Sequence, residues 1–321
     1  MTILISCETG GDRVPPWLVR QPISTERISD PGLSEDSGIA EAAEATEAPA
    51  VTEAPAVTEA PVVTEAPVFT EASVVAEASV ASSAVLEIPL IEGASDCESR
   101  PELCSSKFVP GQLPGRLPGD ASARYVARRM AALLQSPLIE NKYAAALIDV
   151  TRSSRHRSVM PPEVRRWPTE DRNRLIQEVH AGYRNRVRNA IEQHSRRHGF
   201  TLHVSVRSFA SSSEGRQRRT DIGLLYDPSR EDEMAFCLDW IDEMYESAPM
   251  IRVRRNYPRR GTTESLVTAM RNHFSAEHYV GVELLLNRAW AGRRVGLRDQ
   301  AIEGICRSLD QVLDFQSADA A

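Results

Sequence analysis

No lysine or arginine occurs between Ile28 and Ser99, a stretch that holds fifteen acidic residues. That stretch therefore carries −15, and because the 321-residue chain is −7 overall, everything outside it sums to +8. The acidic balance belongs to one segment, and the rest is mildly basic. Such an excess suits anionic small ligands and is too weak to argue for nucleic acid. Also missing is any CxxC pair: the five cysteines are scattered and odd in number, which gives no disulfide framework. A reducing cytoplasm is the expected setting. No apolar run approaches the roughly 18–20 residues that span a bilayer, so no membrane partner is expected. Leu4-Ile5-Ser6-Cys7 has the outline of a lipoprotein cleavage box but lacks the charged and apolar stretches that precede one, and it reads as a strand end.

Low complexity comes next. Six hexapeptides run from Thr46 to Ala81: TEAPAV, TEAPAV, TEAPVV, TEAPVF, TEASVV and AEASVA. Recurring proline blocks helix and central strand, and a glutamate in every copy adds self-repulsion. A long disordered acidic insertion over 21–107 is expected, interrupting one domain made of 1–20 and 108–321. If a protein partner docks anywhere by charge, the repeat is the expected place.

The remainder alternates strands with helices. An apolar strand over 1–6 runs into a turn with Gly10 and Gly11. Asp120 stands at the N-cap of a helix over 121–134. A buried strand is expected over 143–150, then a helix capped by Thr169 that extends to Gly199, with a bend at Gly182. Leu202, Val204 and Val206 alternate as in a half-buried strand, followed by a polar loop over 211–219 and a strand over 222–226. Helices over 231–246, 263–274 and 298–315 and strands over 250–253 and 279–286 complete the pattern, the last strand having the continuous apolar character of a sheet centre. The fold class is α/β, a mostly parallel mixed sheet covered on both faces. Polar groups at the strand exits put the site near Arg207.

Several blocks carry a family signal: CETGGDRVP at 7–15, LIDVTRSSRH at 147–156, HVSVRSF at 203–209, DIGLLYDPSR at 221–230, RVRRNYPRRGTTESLVTAMR at 252–271 and GVELLLNR at 281–288. Taken in this order they resemble the N-formylglutamate amidohydrolase family. The resemblance implies a three-layer α/β/α sandwich similar to the zinc exopeptidases, and zinc-dependent hydrolysis of an N-acyl (N-formyl) amino-acid amide bond. It further implies metal-binding histidines where this chain has Thr9 and Arg207, a metal carboxylate retained as Asp120, and a glutamate base where Leu285 stands, with Glu283 surviving as the earlier acid.

Two of three implied ligands are thus replaced, one by a permanent cation, so no convincing metal site and no bound zinc are expected. Arg207 is expected to replace the metal's charge by pairing with Asp120 and Glu8. His194 and His198 have a chelating i, i+4 spacing but no accompanying acid. Two readings stand. One is an amidohydrolase-like enzyme with Glu283 as its remaining candidate catalytic acid. The other is a non-catalytic member that binds an anionic or carboxylated small molecule through Arg152, Arg207 and His156. Nucleic-acid binding rests only on the five arginines within 252–260, which belong to the family block, and it is set aside.

Overall fold

The structure, a computed structural model, describes residues 2–19 and 108–319. The insertion expected over 21–107, with its repeats and its proposed docking role, lies outside them. In chain order the elements are β1 (Thr2–Cys7), α1 (Ala121–Leu133), β2 (Leu138–Glu140), α2 (Pro162–Arg165), α3 (Thr169–Arg174), a π-helical turn (Leu175–Ala181) and α4 (Gly182–His198). There follow β3 (Thr201–Phe209), β4 (Ser212–Ser213), β5 (Arg216–Gln217), β6 (Ile222–Leu225), α5 (Glu231–Ser247), β7 (Val253–Arg255), α6 (Leu266–Arg271), β8 (Tyr279–Asn287), α7 (Arg288–Ala291) and α8 (Val295–Asp319).

Six strands form one sheet in the order β2-β1-β3-β8-β6-β7. All neighbours are parallel except β6 against β8. Register pairs Ser6 with Ser205 and Ser205 with Glu283, so one row of side chains crosses three strands on one face. Helices cover both faces. Ile5, Val204, Val206, Val282 and Leu284 pack with α1, α5 and α8 in one apolar cluster, where Trp240 is fully buried. Leu4 and Tyr279 on the opposite face pack with Leu175, Val179, Tyr183, Val187 and Ile191 from the long helix. The i, i+4 spacing of those five residues is what aims them at the sheet.

Several expectations need correction. The apolar run over 143–150 is not a strand. Asn141 diverts it: its Oδ1 accepts from Tyr143 N–H at 3.1 Å and its Nδ2 donates to Glu8 O at 3.0 Å, and only Tyr143 makes a bridge, to Arg13. The run is buried instead as turns against the second cluster, through Ala144, Leu147, Ile148 and Val150. The sheet strand is the short β2 just before it. Thr169 does not cap its helix; Pro168 occupies that position without a side-chain cap. The strand expected over 250–253 lies at Val253–Arg255. The polar loop over 211–219 contains the β4–β5 hairpin, which turns through Glu214 and Gly215 at φ of 51° and 72°. β3 is not half-buried: Thr201, His203 and Ser205 are at most 1% exposed. By contrast, Asp120 is the cap of α1, accepting from Ala123 N–H at 3.1 Å. Among the described residues no helix is long and apolar enough to cross a membrane.

Candidate functional site

The row of side chains facing α4 is polar. Tyr279 O–H lies 2.8 Å from His203 Nδ1, His203 Nε2 lies 2.7 Å from Ser6 Oγ, and Ser6 Oγ donates to Glu8 Oε1 at 2.6 Å. Ser205 Oγ donates to Glu8 Oε2 at 2.9 Å. Since the single Ser6 proton goes to Glu8, His203 donates from Nε2 and accepts from Tyr279 at Nδ1. The donors all run one way, toward Glu8. Burial, then the nearby Arg271 charge, depresses the His203 imidazole to about 3, so it is neutral. Burial also raises the Glu8 carboxyl, against the opposing pull of Arg207 and the two serine hydroxyls. The same burial, with Glu8 and Asp120 nearby, pushes the Cys7 thiol up, which removes it as a nucleophile.

Toward the strand ends the row turns cationic. Arg207 Nη1 reaches Glu283 Oε2 at 3.4 Å, and Arg259 Nη2 makes a short ion pair with the same oxygen. Glu283 is 1% exposed, Arg207 19% and Arg259 26% by side chain. Burial opposes the charge on Arg207, and Glu283, Glu8 and Asp149 more than offset it, leaving its pKa raised. Burial lowers Arg259 despite Glu283, and the like charges of Arg207 and Arg152 add to that. Two guanidiniums, Arg207 and Arg259, thus converge on one buried carboxylate, while Arg152 is paired with Asp149. Arg207 Nε and Glu283 Oε1 are buried with no hydrogen-bond partner. An orphaned buried donor and acceptor are costly and uncommon.

The loop bearing Arg152 is held from below. Arg152 Nε donates to Asp149 Oδ2 at 3.1 Å, while Arg184 Nη1 donates to Val150 O at 3.0 Å and the His180 ring bonds Arg152 O at 2.8 Å. His180 lies in the π-helical turn, the kind of irregularity often found at functional sites. His156 lies between two donors, with Ser158 N–H 3.0 Å from its Nδ1 and Arg152 Nη1 3.2 Å from its Nε2, and Nε2 is 3.9 Å from Glu264 Oε2.

Asp120 belongs to a different arrangement. Its Oδ2 accepts from Ser208 Oγ at 2.6 Å and from Thr9 Oγ1 at 3.2 Å. The expected pairing of Arg207 with Asp120 is thus corrected: hydroxyls satisfy Asp120, and the arginine is drawn to Glu283, while Glu8 feels it only through space. The reason is register. Arg207 shares its face with Glu283, whereas the adjacent Ser208 turns to the α1 face and Asp120. Leu285 sits in a small apolar cluster with Phe209 and Leu225 and can activate no water.

The donor set at the implied metal position is a hydroxyl, a capping carboxylate and a guanidinium, which does not fit zinc. Among the described residues no group of three His, Cys, Asp or Glu side chains could hold a metal, His194 and His198 included. Of the residues singled out in the sequence, the structure pairs Arg207 with Glu283 and sets His156 3.2 Å from Arg152. Sequence reasoning missed the Ser6–His203–Tyr279 relay, whose only signal was polar residues at alternate positions of strands.

A mixed α/β sheet with helices on both faces and a polar row at the strand ends defines the class of this protein: a three-layer α/β fold. The N-formylglutamate amidohydrolase family model matches residues 116–290, more than half of the chain, and the chain belongs to that family. A gene product from Agrobacterium tumefaciens of known crystal structure is similar in fold, with 21% identity, a TM-score of 0.51, and coverage of 62% of this chain and 79% of that one. N-formylglutamate amidohydrolase from Ralstonia eutropha JMP134 aligns at 12% identity over 62% of this chain and 84% of that one, with a TM-score of 0.45. No curated protein matches.

Proposed function

We propose that this family member binds a small carboxylated molecule, with the chemistry of an N-acyl amino acid, at the arginine cluster, and that it does so without metal-dependent hydrolysis. The observation that carries the reading is Arg207, a fixed cation where the family resemblance implies a metal histidine, with its Nε donor and the Glu283 Oε1 acceptor both unmatched. A carboxylate would accept from the guanidinium, and an amide N–H would donate to Glu283. An N-acyl amino acid carries both groups. Both atoms are buried, so the ligand reaches them by rearranging the flank where Arg152 keeps 40% and Arg259 26% of its side-chain surface. Arg152 offers a second fork for carboxylate, and His156 stands beside it. In this reading Glu283 neutralises guanidiniums and is not the base of a hydrolytic reaction. Cys7, Cys237 and Cys306 are buried free thiols, in keeping with a reducing compartment such as the cytoplasm.

The test is elemental analysis of the purified protein together with hydrolysis of N-formyl-L-glutamate, with and without added zinc. The expected result is no stoichiometric zinc and no turnover. About one zinc per chain with metal-dependent turnover, as a catalytic zinc site would give, means that a different ligand set exists and the reading fails.

A further inference from the structure

Several arginines in this fold end on acids: Arg271 on Glu233, Arg252 and Arg293 on Asp221, Arg207 and Arg259 on Glu283. Four arginines without such a partner are gathered in one place. Arg216, Arg218 and Arg219, from the segment after β3, line one open cleft of about 480 Å³ together with Arg254 of β7 and Tyr257. None of the four makes an ion pair with a described acid, and Glu214 is the one acid in the lining.

Two of these cations are nonetheless fixed. Arg218 donates from Nη1 to Ala210 O at 3.1 Å and lies 5.8 Å over the Phe209 ring. Arg254 lies 5.3 Å over the Tyr257 ring. Phe209 and Tyr257 meet edge to face at 5.8 Å, so one aromatic pair carries both guanidiniums. The backbone is tied down as well: Asn287 Nδ2 donates to Arg218 O at 3.0 Å and to Thr220 O at 2.7 Å, and Arg218 N–H donates to Ser211 O at 2.7 Å. Charge on an edge strand discourages strand pairing, which accounts for Arg254 on β7 and Arg216 on β5. It does not account for Arg218 and Arg219, brought to the same cleft from outside any strand. Guanidinium forks match phosphoryl oxygens, and the cleft falls in the size range of small-ligand sites.

We propose that this cleft binds the phosphoryl groups of a polyphosphate-bearing small molecule, with Arg216, Arg218, Arg219 and Arg254 as donors. The site is separate from the carboxylate site, since neither Arg207 nor Glu283 lines it.

The experiment is calorimetric titration of the full chain with sodium tripolyphosphate, with ATP, and with a single-stranded thymidine oligonucleotide. Saturable one-to-one binding of tripolyphosphate is expected, weakened roughly tenfold or more by Arg218→Glu or Arg254→Glu, as reversing a charge in a convergent set should do. Arg218→Lys keeps the charge but loses the fork, and should weaken binding by a smaller factor. ATP binding tighter than tripolyphosphate assigns a nucleoside-bearing ligand; equal affinity assigns the phosphates alone. Circular dichroism confirms that each variant is folded. An equal loss in Arg166→Glu, on an exposed helix end elsewhere, would reduce the effect to diffuse charge and overturn the proposal. So would absence of tripolyphosphate binding, or an oligonucleotide that binds more tightly than ATP. Arg218→Glu should leave N-formyl-L-glutamate binding intact, and Arg207→Met should leave tripolyphosphate binding intact, so the two sites fail independently.

Discussion

The two faces of the central sheet solve burial in different ways. Toward α1, α5 and α8 the strands present Ile5, Val204, Val206, Val282 and Leu284, which need only contact. Toward α4 the same strands present Leu4 and Tyr279 to an apolar cluster and, beside them, Ser6, His203, Ser205, Arg207 and Glu283, which need partners. An apolar face gains stability from area, roughly 1.5–3 kcal/mol for each large side chain buried. A buried polar row contributes little net stability and fixes one arrangement of donors and acceptors. Both faces hold the fold together, the second through the cluster that Leu4 and Tyr279 form with the long helix, and the second also bears the polar row.

That division can be broken most severely from either side. Trp240→Ala, on the apolar face, is expected to cost about 3–5 kcal/mol through lost burial and a cavity, read by denaturant unfolding. Glu283→Ala is expected to cost a similar amount, about 3–5 kcal/mol, because it leaves Arg207 and Arg259 facing each other unpaired. The two losses differ in kind. Adding Arg207→Met to Glu283→Ala should recover a large part of the second loss, whereas a double-mutant cycle between Trp240 and Arg207 should be additive within about 0.5 kcal/mol.

A pH series sharpens the contrast. The His203 imidazole is depressed from 6.5 to about 3 in the folded chain. The unfolded chain takes up that proton first, so stability held above about pH 6.5 is lost as pH falls toward about 3, by up to about 1.4 kcal/mol per unit. Glu8 acts in the opposite sense, its raised folded pKa giving stability at low pH that is lost as pH rises through that value. His203→Gln should flatten the acid slope; an unchanged slope in that variant would assign the acid sensitivity to other groups. The smallest effect is expected from Tyr279→Phe, which removes one donor to His203 Nδ1 and should cost about 1 kcal/mol by the same unfolding measurement.

The apolar face was legible in sequence because period-two alternation at Leu202, Val204 and Val206 states which side of β3 is greasy. The polar face was not, since alternation cannot tell a solvent-facing serine from one that is buried and satisfied by a neighbouring strand. The run over 143–150 misled for a related reason: continuous apolar character reports burial, and only the Asn141 side chain shows that the burial is in turns. Arg207 and Glu283 were found through the family blocks, and their pairing follows from a strand register that no sequence prints. The arginines of the hairpin cleft come from stretches more than thirty positions apart, 216–219 and 254, and only the fold joins them.

The most direct measurement is calorimetric titration of N-formyl-L-glutamate into the protein before and after exhaustive chelator treatment, with product monitored throughout. The structure leads to one-to-one binding that chelation leaves unchanged, no product, and loss of binding in Arg207→Met. Binding or turnover that disappears on chelation and returns with zinc would contradict a carboxylate site built on arginine in place of a metal.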